Sequence, residues 1–438
     1  MENKPNILLI LTDQQHYGMM SCAGNRYLHT PAMDSLASSG VRFDRAYCTN
    51  PVCVPSRFSL MTGRMPSAIE MRSNKRSHIE EIPSNIKNNG LGYLMREAGY
   101  EVAYAGKQHL PKMTVEDIGF ECISHDERDE MAQACAQFFR RPRNKPFFLV
   151  SSFVNPHDIC YMGIRDFAQE GGDKHLLEGA SVECATLDKA LQRPEGVDET
   201  TFFERYCPPL PVNFEPQKDE PEAIGRMLEE RYFRKQEREQ WDEKRWREHR
   251  WAYARLTEMV DQQISQVLSA LEKSGEAERT LVVFTSDHGD MDGAHRLEHK
   301  STMYDEACRV PLIIRPPGGG QGKEICTDLV TNGLDLLPTF FDWAGVNSPP
   351  GLTGMSLRPL VEGDRREGAR ECIPIELPTG RGVVTERYKY TLHDAGANRE
   401  QLIDLKADPY EQANVCTQPE YQSVLRELKT LYKKTFGA

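Results

Sequence analysis

Pro5-Asn-Ile-Leu-Leu-Ile-Leu-Thr-Asp13-Gln14 is an apolar run that stops abruptly at an acid and an amide. A strand facing water on one side would alternate polar and apolar residues. This one keeps both faces apolar, which predicts a strand covered on both sides. The same design recurs in Tyr100-Glu-Val-Ala-Tyr-Ala-Gly-Lys107-Gln-His109, in Phe147-Phe-Leu-Val-Ser-Ser-Phe-Val-Asn-Pro-His157 and in Leu281-Val-Val-Phe-Thr-Ser-Asp287-His288. Helical spacing lies between them. Leu256, Met259, Val260, Ile264, Val267, Leu268 and Leu271 fall on one helix face, and Gly275 is placed to end that helix. Strands alternating with helices predict an α/β fold, with a large mixed, mostly parallel sheet flanked by helices. In such sheets ligands bind beyond the carboxyl ends of the strands, where all four runs place their polar residues.

The rhythm breaks between residues 160 and 250. Pro208, Pro209, Pro211, Pro216 and Pro221 punctuate a charged stretch, and Trp241, Trp246 and Trp251 follow in a highly charged one. Two readings stand: an insertion near the site mouth that bears on substrate choice, or a solvated helix with a few packed aromatics. Residues 1–345 are read as one large α/β domain. Pro349, Pro350 and Gly351 read as a connection to a small C-terminal α+β subdomain over residues 346–438. There, Val383 to Leu392 and Gln401 to Leu405 are expected as strands, and Glu420 to Lys434 as a closing helix.

The 438 residues carry a formal charge of −12, which argues against a general nucleic-acid or polyanion binder. No apolar run approaches the roughly 18–20 residues of a membrane span. Ile7 to Leu11 is too short for a signal peptide and is followed by Asp13, so the chain as written reads as cytoplasmic. It would be periplasmic or secreted had a leader been removed. Twelve cysteines without a C-x-x-C pair speak against a zinc ribbon, and most are expected to be buried thiols.

The most specific segment is Cys53-Val-Pro-Ser-Arg57-Phe-Ser-Leu60-Met-Thr-Gly-Arg64. Pro55 suits the first turn of a helix running through Leu60, which would set Cys53 at a helix N-terminus, where free N–H groups favour an anion. Arg57, one turn on, would face the same way as a bidentate cation. From these residues alone, Cys53 is either a thiol beside an anion site or a small buried hydrophobe.

Cys-x-Pro-Ser-Arg followed by Leu-x-Thr-Gly resembles the signature of the formylglycine-dependent sulfatases, in the alkaline-phosphatase-like superfamily. The resemblance covers nearly the whole chain. It implies that a maturation enzyme oxidises Cys53 to formylglycine, whose hydrated diol attacks sulfur and whose second hydroxyl later expels sulfate. It implies one divalent metal on Asp13, Gln14, Asp287 and His288, where the family usually has two aspartates in the first pair and Asp-Asn in the second. Ca²⁺ is the first expectation, with Mn²⁺ or Mg²⁺ as alternatives. Gly106-Lys107-Gln-His109-Leu, Asn155-Pro-His157 and Lys300, ahead of Arg309-Val-Pro-Leu312, match further family elements. The implied roles are charge neutralisation by Arg57, Lys107 and Lys300, a proton from His157 to the leaving oxygen, and proton removal by His109. The implied substrate is a small-molecule or oligosaccharide sulfate ester, with a sulfated carbohydrate expected.

Gln14 and His288 keep a phosphonate monoester or phosphate diester hydrolase open as an alternative. A non-catalytic anion-binding homologue and an enzyme using Cys53 as an unmodified thiol are the readings of other classes. Substrate choice is expected from the insertion, from Arg64 to Arg76 and from Gly293-Ala-His295-Arg296. The element Leu405-Lys-Ala-Asp408-Pro409-x-Glu411-x-x-Asn414 resembles the family's closing motif and receives no catalytic role.

Overall fold

The computed structural model describes residues 4–74, 82–168, 172–320, 322, 324–363 and 370–437. In chain order the strands are β1 (Asn6–Asp13), β2 (Val41–Phe43), β3 (Ala46–Tyr47), β4 (Glu101–Gly106), β5 (Glu121–Ser124), β6 (Phe147–Pro156) and β7 (Thr280–Ser286). They continue as β8 (Leu312–Arg315), β9 (Glu324–Cys326), β10 (Val330–Thr331), β11 (Ile373–Leu377), β12 (Gly380–Val384), β13 (Tyr388–His393) and β14 (Glu400–Asp404). Among the described residues, eight of them form one sheet in the order β5-β4-β6-β1-β7-β8-β2-β9. Pairing is parallel from β5 through β7. It turns antiparallel on both sides of β8. The expected mixed, mostly parallel sheet is the one observed.

The apolar runs explain why the sheet is covered twice. Alternate residues of a strand point to opposite faces. Ile7, Leu9 and Leu11 join one core with Val54, Phe58 and Leu60 of helix α1 (Cys53–Thr62). Leu8 and Ile10 join the other core with Phe138 of helix α2 (Met131–Phe139). All five β1 side chains are wholly buried, each contributing roughly 1.5–3 kcal/mol.

The stretch between residues 160 and 250 is mostly helical and packed. It holds α3 (Tyr161–Phe167), α4 (Tyr232–Gln240) and the first turns of α5 (Glu243–Lys273). Trp241, Trp246 and Trp251 are all buried, and the first two meet edge to face at 4.9 Å. The α5 face predicted from Leu256 to Leu271 lies against the sheet or the α3 region, and the helix stops two residues before Gly275, which has φ +78°.

At the C-terminus, β11 to β14 form an antiparallel sheet closed by α6 (Gln422–Phe436). The stretch Val383 to Leu392, expected as one strand, is the end of β12 and most of β13, separated by a turn in which the Thr385 N–H donates to the Tyr388 carbonyl. The turn is only Thr385-Glu386-Arg387, without glycine or proline, which hides the break. Strand β11 was not foreseen. Lys389 of β13, 2% exposed, fastens this sheet to the rest through Asp305 (2.5 Å) and Glu411 (2.7 Å). None of the twelve cysteines is in a disulfide; six are buried and the other six half-buried, fewer buried than expected. No helix among the described residues is long and apolar enough to cross a membrane.

Candidate active site

Strands β4, β6, β1 and β7 are adjacent and parallel, so their carboxyl ends meet along one edge. Gly106 pairs with Ser152, Asp13 with Pro156, and Thr12 with Ser286. Asp13, Lys107, His157, Asp287 and His288 therefore leave the sheet side by side. Gly106 makes the turn into Lys107 at φ +92°, and a Cβ there would lie 2.0 Å from the Ser152 carbonyl oxygen.

Helix α1 points its N-terminus at this edge. Val52 caps it in extended conformation, Cys53 is its first residue, and Gly63 ends it at φ +65°. Every residue of α1 is buried. Cys53 Sγ lies 3.1 Å from His288 Nε2 and 3.8 Å from Asp13 Oδ1. His288 Nδ1 is 2.8 Å from the Gly289 carbonyl oxygen, which orients the ring. Burial and Asp13 oppose ionisation of the Cys53 thiol. Lys300, His288 and a hydrogen bond from His109 outweigh them and hold it well below the usual thiol value.

Two carboxylates share this space with three cations. Asp13 Oδ2 accepts from Lys107 Nζ at 2.9 Å and from Arg57 Nη2 at 3.0 Å. Arg57 Nε donates to Asp287 Oδ2 at 2.8 Å, and its Nη1 to the Lys107 carbonyl and Ser152 Oγ. Burial works against the Asp13 carboxylate, yet Lys107, His157 and Arg57 hold its pKa well below the ordinary value. Arg57 thus differs from the expected anion clamp. Its fork is spent on two carboxylates and two neutral acceptors, because its position one turn into α1 lies over both strand ends.

Gln14 is tied to the site by backbone and side chain: its backbone N–H donates to Asp287 Oδ1 at 3.1 Å. Its Nε2 donates to Asp290 Oδ2 at 2.6 Å, and its Oε1 accepts from Lys300 Nζ and from the Cys160 thiol at 3.2 Å. Lys300 is thereby held over the site, 7% exposed and kept protonated, against its burial, chiefly by Cys53 and Cys160. Asp290, Cys160 and Ser152 are the partners that sequence reasoning passed over. Asp290 had a signal, since it closes the run Ser286-Asp287-His288-Gly289-Asp290; Cys160 and Ser152 had none.

His157 lies within the field of Lys107 and Lys300, and burial followed by those two charges keeps its ring neutral. His109 is exposed and lines a cleft of about 510 Å³ together with Gln108, His125 and Glu127. Of the expected specificity residues, His295 is buried and stacked on Tyr304 at 3.9 Å, so it presents no free face, and Arg64 is half-buried. Arg76 lies outside the described residues.

Asp13, Cys53, Asp287 and His288 each offer a ligand atom within 4.8 Å of the others. Two carboxylates with one imidazole suit a hard or borderline divalent cation, and Asp13 Oδ1 has no nitrogen donor on it. These residues fit such an ion.

The sulfatase family model matches residues 5–346, and the N-sulphoglucosamine sulphohydrolase C-terminal model matches residues 293–436. The chain is 30% identical to the Δ4,5-hexuronate-2-O-sulfatase of Bacteroides thetaiotaomicron, covering 98% of this chain and 88% of that protein. It is 27% identical to the N-acetylglucosamine-6-O-sulfatase of the same organism, covering 99% and 86%. A solved 2-O GAG sulfatase superposes with a TM-score of 0.80 at 28% identity, covering 99% of this chain and 92% of that one. By these matches the chain belongs to the sulfatase family of the alkaline-phosphatase-like superfamily and is a sulfuric ester hydrolase.

Proposed function

We propose that this enzyme hydrolyses the sulfate ester of a carbohydrate at the Cys53 site. The observation that carries the reading is Cys53 itself, at the N-terminus of a buried helix with two carboxylates, an imidazole and the ammonium of Lys300 around it. The kinship to a hexuronate-2-O-sulfatase and an N-acetylglucosamine-6-O-sulfatase supports a sulfated sugar as substrate. Oxidised by a maturation enzyme and hydrated, position 53 supplies a geminal diol, a better-placed nucleophile for sulfur than a thiol. A divalent cation held by Asp13, Asp287 and His288, with Ca²⁺ the first candidate and Mn²⁺ or Mg²⁺ next, supplies positive charge beside the sulfuryl oxygens.

The chain's own residues do the rest. Arg57 holds Asp13 and Asp287 in place as their counter-ion. Lys107 and Lys300 neutralise the anionic ester where charge develops. Bound there, the ester offsets the two ammonium charges that, after burial, disfavour a proton on His157, so the ring can take one up. His157 then protonates the leaving oxygen. Asp287 takes the proton of the attacking hydroxyl at position 53, and His109 takes that of the second hydroxyl as sulfate leaves and the aldehyde is restored. The cleft beside His109 is the approach for the sugar.

The test is turnover of an aryl sulfate, the matching aryl phosphonate monoester and a panel of sulfated disaccharides. The enzyme is co-expressed with a formylglycine-generating enzyme, and the peptide bearing residue 53 is weighed by mass spectrometry. Aldehyde at position 53, preference for sulfate and loss of turnover in Cys53→Ala are expected. Preference for the phosphonate would overturn the substrate class, and full activity of Cys53→Ala would overturn the mechanism.

A further inference from the structure

A second group of ligand-type side chains lies apart from the Cys53 site. Glu237 comes from α4, His249 from α5, and Glu298 and His299 from the loop just before Lys300. They are 1%, 0%, 5% and 3% exposed. His299 Nε2 lies 3.6 Å from Glu298 Oε1 and 3.8 Å from Glu237 Oε1. His249 Nε2 lies 3.6 Å from Glu298 Oε1. One ligand atom from each of Glu237, Glu298 and His299 falls within 4.8 Å of the others.

Hydrogen bonding leaves these atoms unsatisfied. Among the described residues, Glu237 Oε1, both Glu298 oxygens, His299 Nε2 and both His249 nitrogens find no hydrogen-bond partner. Groups buried that way are costly, and more so when charged. The separations among Glu237, Glu298 and His299, 3.6 and 3.8 Å, are too long for hydrogen bonds and close to those of neighbours on one ion, while His249 joins the group through Glu298 at 3.6 Å. Ligands at about 2.0–2.2 Å on a tetrahedral metal stand roughly 3.3–3.5 Å apart.

The surroundings hold the group in that arrangement. Gly163 of α3 makes room for Glu237, since a Cβ there would lie 1.4 Å from its Oε1. Phe233 meets the His299 ring edge to face at 5.4 Å, and Trp241 and Trp246 flank His249 at 5.9 and 6.3 Å. The outward nitrogens point at further partners: His299 Nδ1 lies 3.0 Å from Cys160 Sγ, and His249 Nδ1 lies 4.0 Å from Asp292 Oδ1. An imidazole with a carboxylate behind it is the usual way a metal-bound histidine is oriented.

We propose that Glu237, His249, Glu298 and His299 form a second metal site, structural rather than catalytic, for a borderline divalent ion, Zn²⁺ above all. Two imidazoles and two carboxylates suit tetrahedral Zn²⁺, whereas Ca²⁺ takes six to eight oxygens. The ion pins the 160–250 stretch to the loop that carries Lys300. Through Cys160, which contacts both His299 and Gln14, it is tied to the active-site edge.

The rival state is a carboxyl pair sharing a proton. Burial, chiefly, raises Glu237 to about 8 and also lifts Glu298 well above the usual carboxylate range, with Arg234 and Lys300 the cations nearby. Zn²⁺ would displace that proton.

The experiment uses the full-length enzyme, stripped by chelator, saturated with Ca²⁺ and titrated with Zn²⁺, with metal content measured after desalting and ligands counted by X-ray absorption at the zinc edge. One retained Zn²⁺ with two imidazoles is expected; the Cys53 site offers a single imidazole among its ligand candidates, so the count separates the two sites. Affinity should fall by at least ~100-fold in Glu298→Gln and His249→Ala, exceeding the roughly 10–100-fold typical of outer-shell changes. It should weaken in Gly163→Ala, which displaces only the mobile end of Glu237. No retained Zn²⁺, a single imidazole, or unchanged binding in folded Glu298→Gln would each overturn the site. Should the ligand variants fail to fold, the wild-type stoichiometry and imidazole count decide it alone.

Discussion

Arg57→Met tests whether Arg57 serves the carboxylates or the substrate. The guanidinium is 1% exposed and donates to Asp13, to Asp287, to the Lys107 carbonyl and to Ser152 Oγ. Methionine fills much of the same volume but leaves Asp287 with only the His288 imidazole, 3.7 Å away, and Asp13 with Lys107 as its one remaining ammonium partner. Breaking a buried pair from one side costs about 3–5 kcal/mol. Unfolding entropy near 2.1 cal/mol/K per residue over 438 residues is about 0.9 kcal/mol/K, so Tm should fall by roughly 3–5 °C in the chelated protein. A bound divalent cation replaces part of the lost charge, so added Ca²⁺ should raise Tm more in the variant than in the wild type. Differential scanning calorimetry with and without Ca²⁺ reads both effects. A Tm within about 1 °C of wild type in chelator, with the defect confined to KM, would refute the counter-ion role and restore the substrate clamp.

Three further outcomes follow from the same geometry. Gly106→Ala, at φ +92° with its Cβ 2.0 Å from a backbone oxygen, should lose about 2–5 kcal/mol by denaturant titration, strain and overpacking together. Its kcat should fall with the displacement of Lys107. His157→Ala should lower kcat by about 10²–10⁴-fold on sugar sulfates but far less on a nitrophenyl sulfate, whose leaving group needs no proton; equal losses on both would remove His157 from the leaving-group step. Asp13→Asn removes one charge from the proposed ion's ligands, so calorimetric Ca²⁺ affinity should drop at least ~10-fold, and an unchanged affinity would place the ion elsewhere.

Much of this molecule was legible before any coordinate was known. The runs ending at Asp13, Lys107, His157 and Asp287 are apolar on both faces, and such strands pack only within a covered, mostly parallel sheet. Parallel strands end on the same edge, so residues far apart in the chain could be grouped as one site. Pro55 suits a first helical turn by local chemistry, and that set Cys53 at the helix N-terminus. The turn splitting β12 from β13 escaped because the β-rich runs on either side, Val383-Val384 and Tyr388 to Leu392, are parted by only Thr385-Glu386-Arg387, with no glycine or proline to mark it.

The sequence by itself determined the alternation of strands and helices, the polar strand ends and the family, because each rests on local periodicity or on motif spacing. The tertiary structure decided what those residues touch. It turned Arg57 toward two carboxylates, sent the Gln14 side chain to Asp290 and Lys300, and set His288 against Cys53. It also gathered Glu237, His249, Glu298 and His299, which span about sixty positions of chain without a motif to link them. Partner choice of this kind depends on which strands lie adjacent and how helices cross the sheet. Those are set by burying the whole apolar surface at once, and no local window of sequence contains that information.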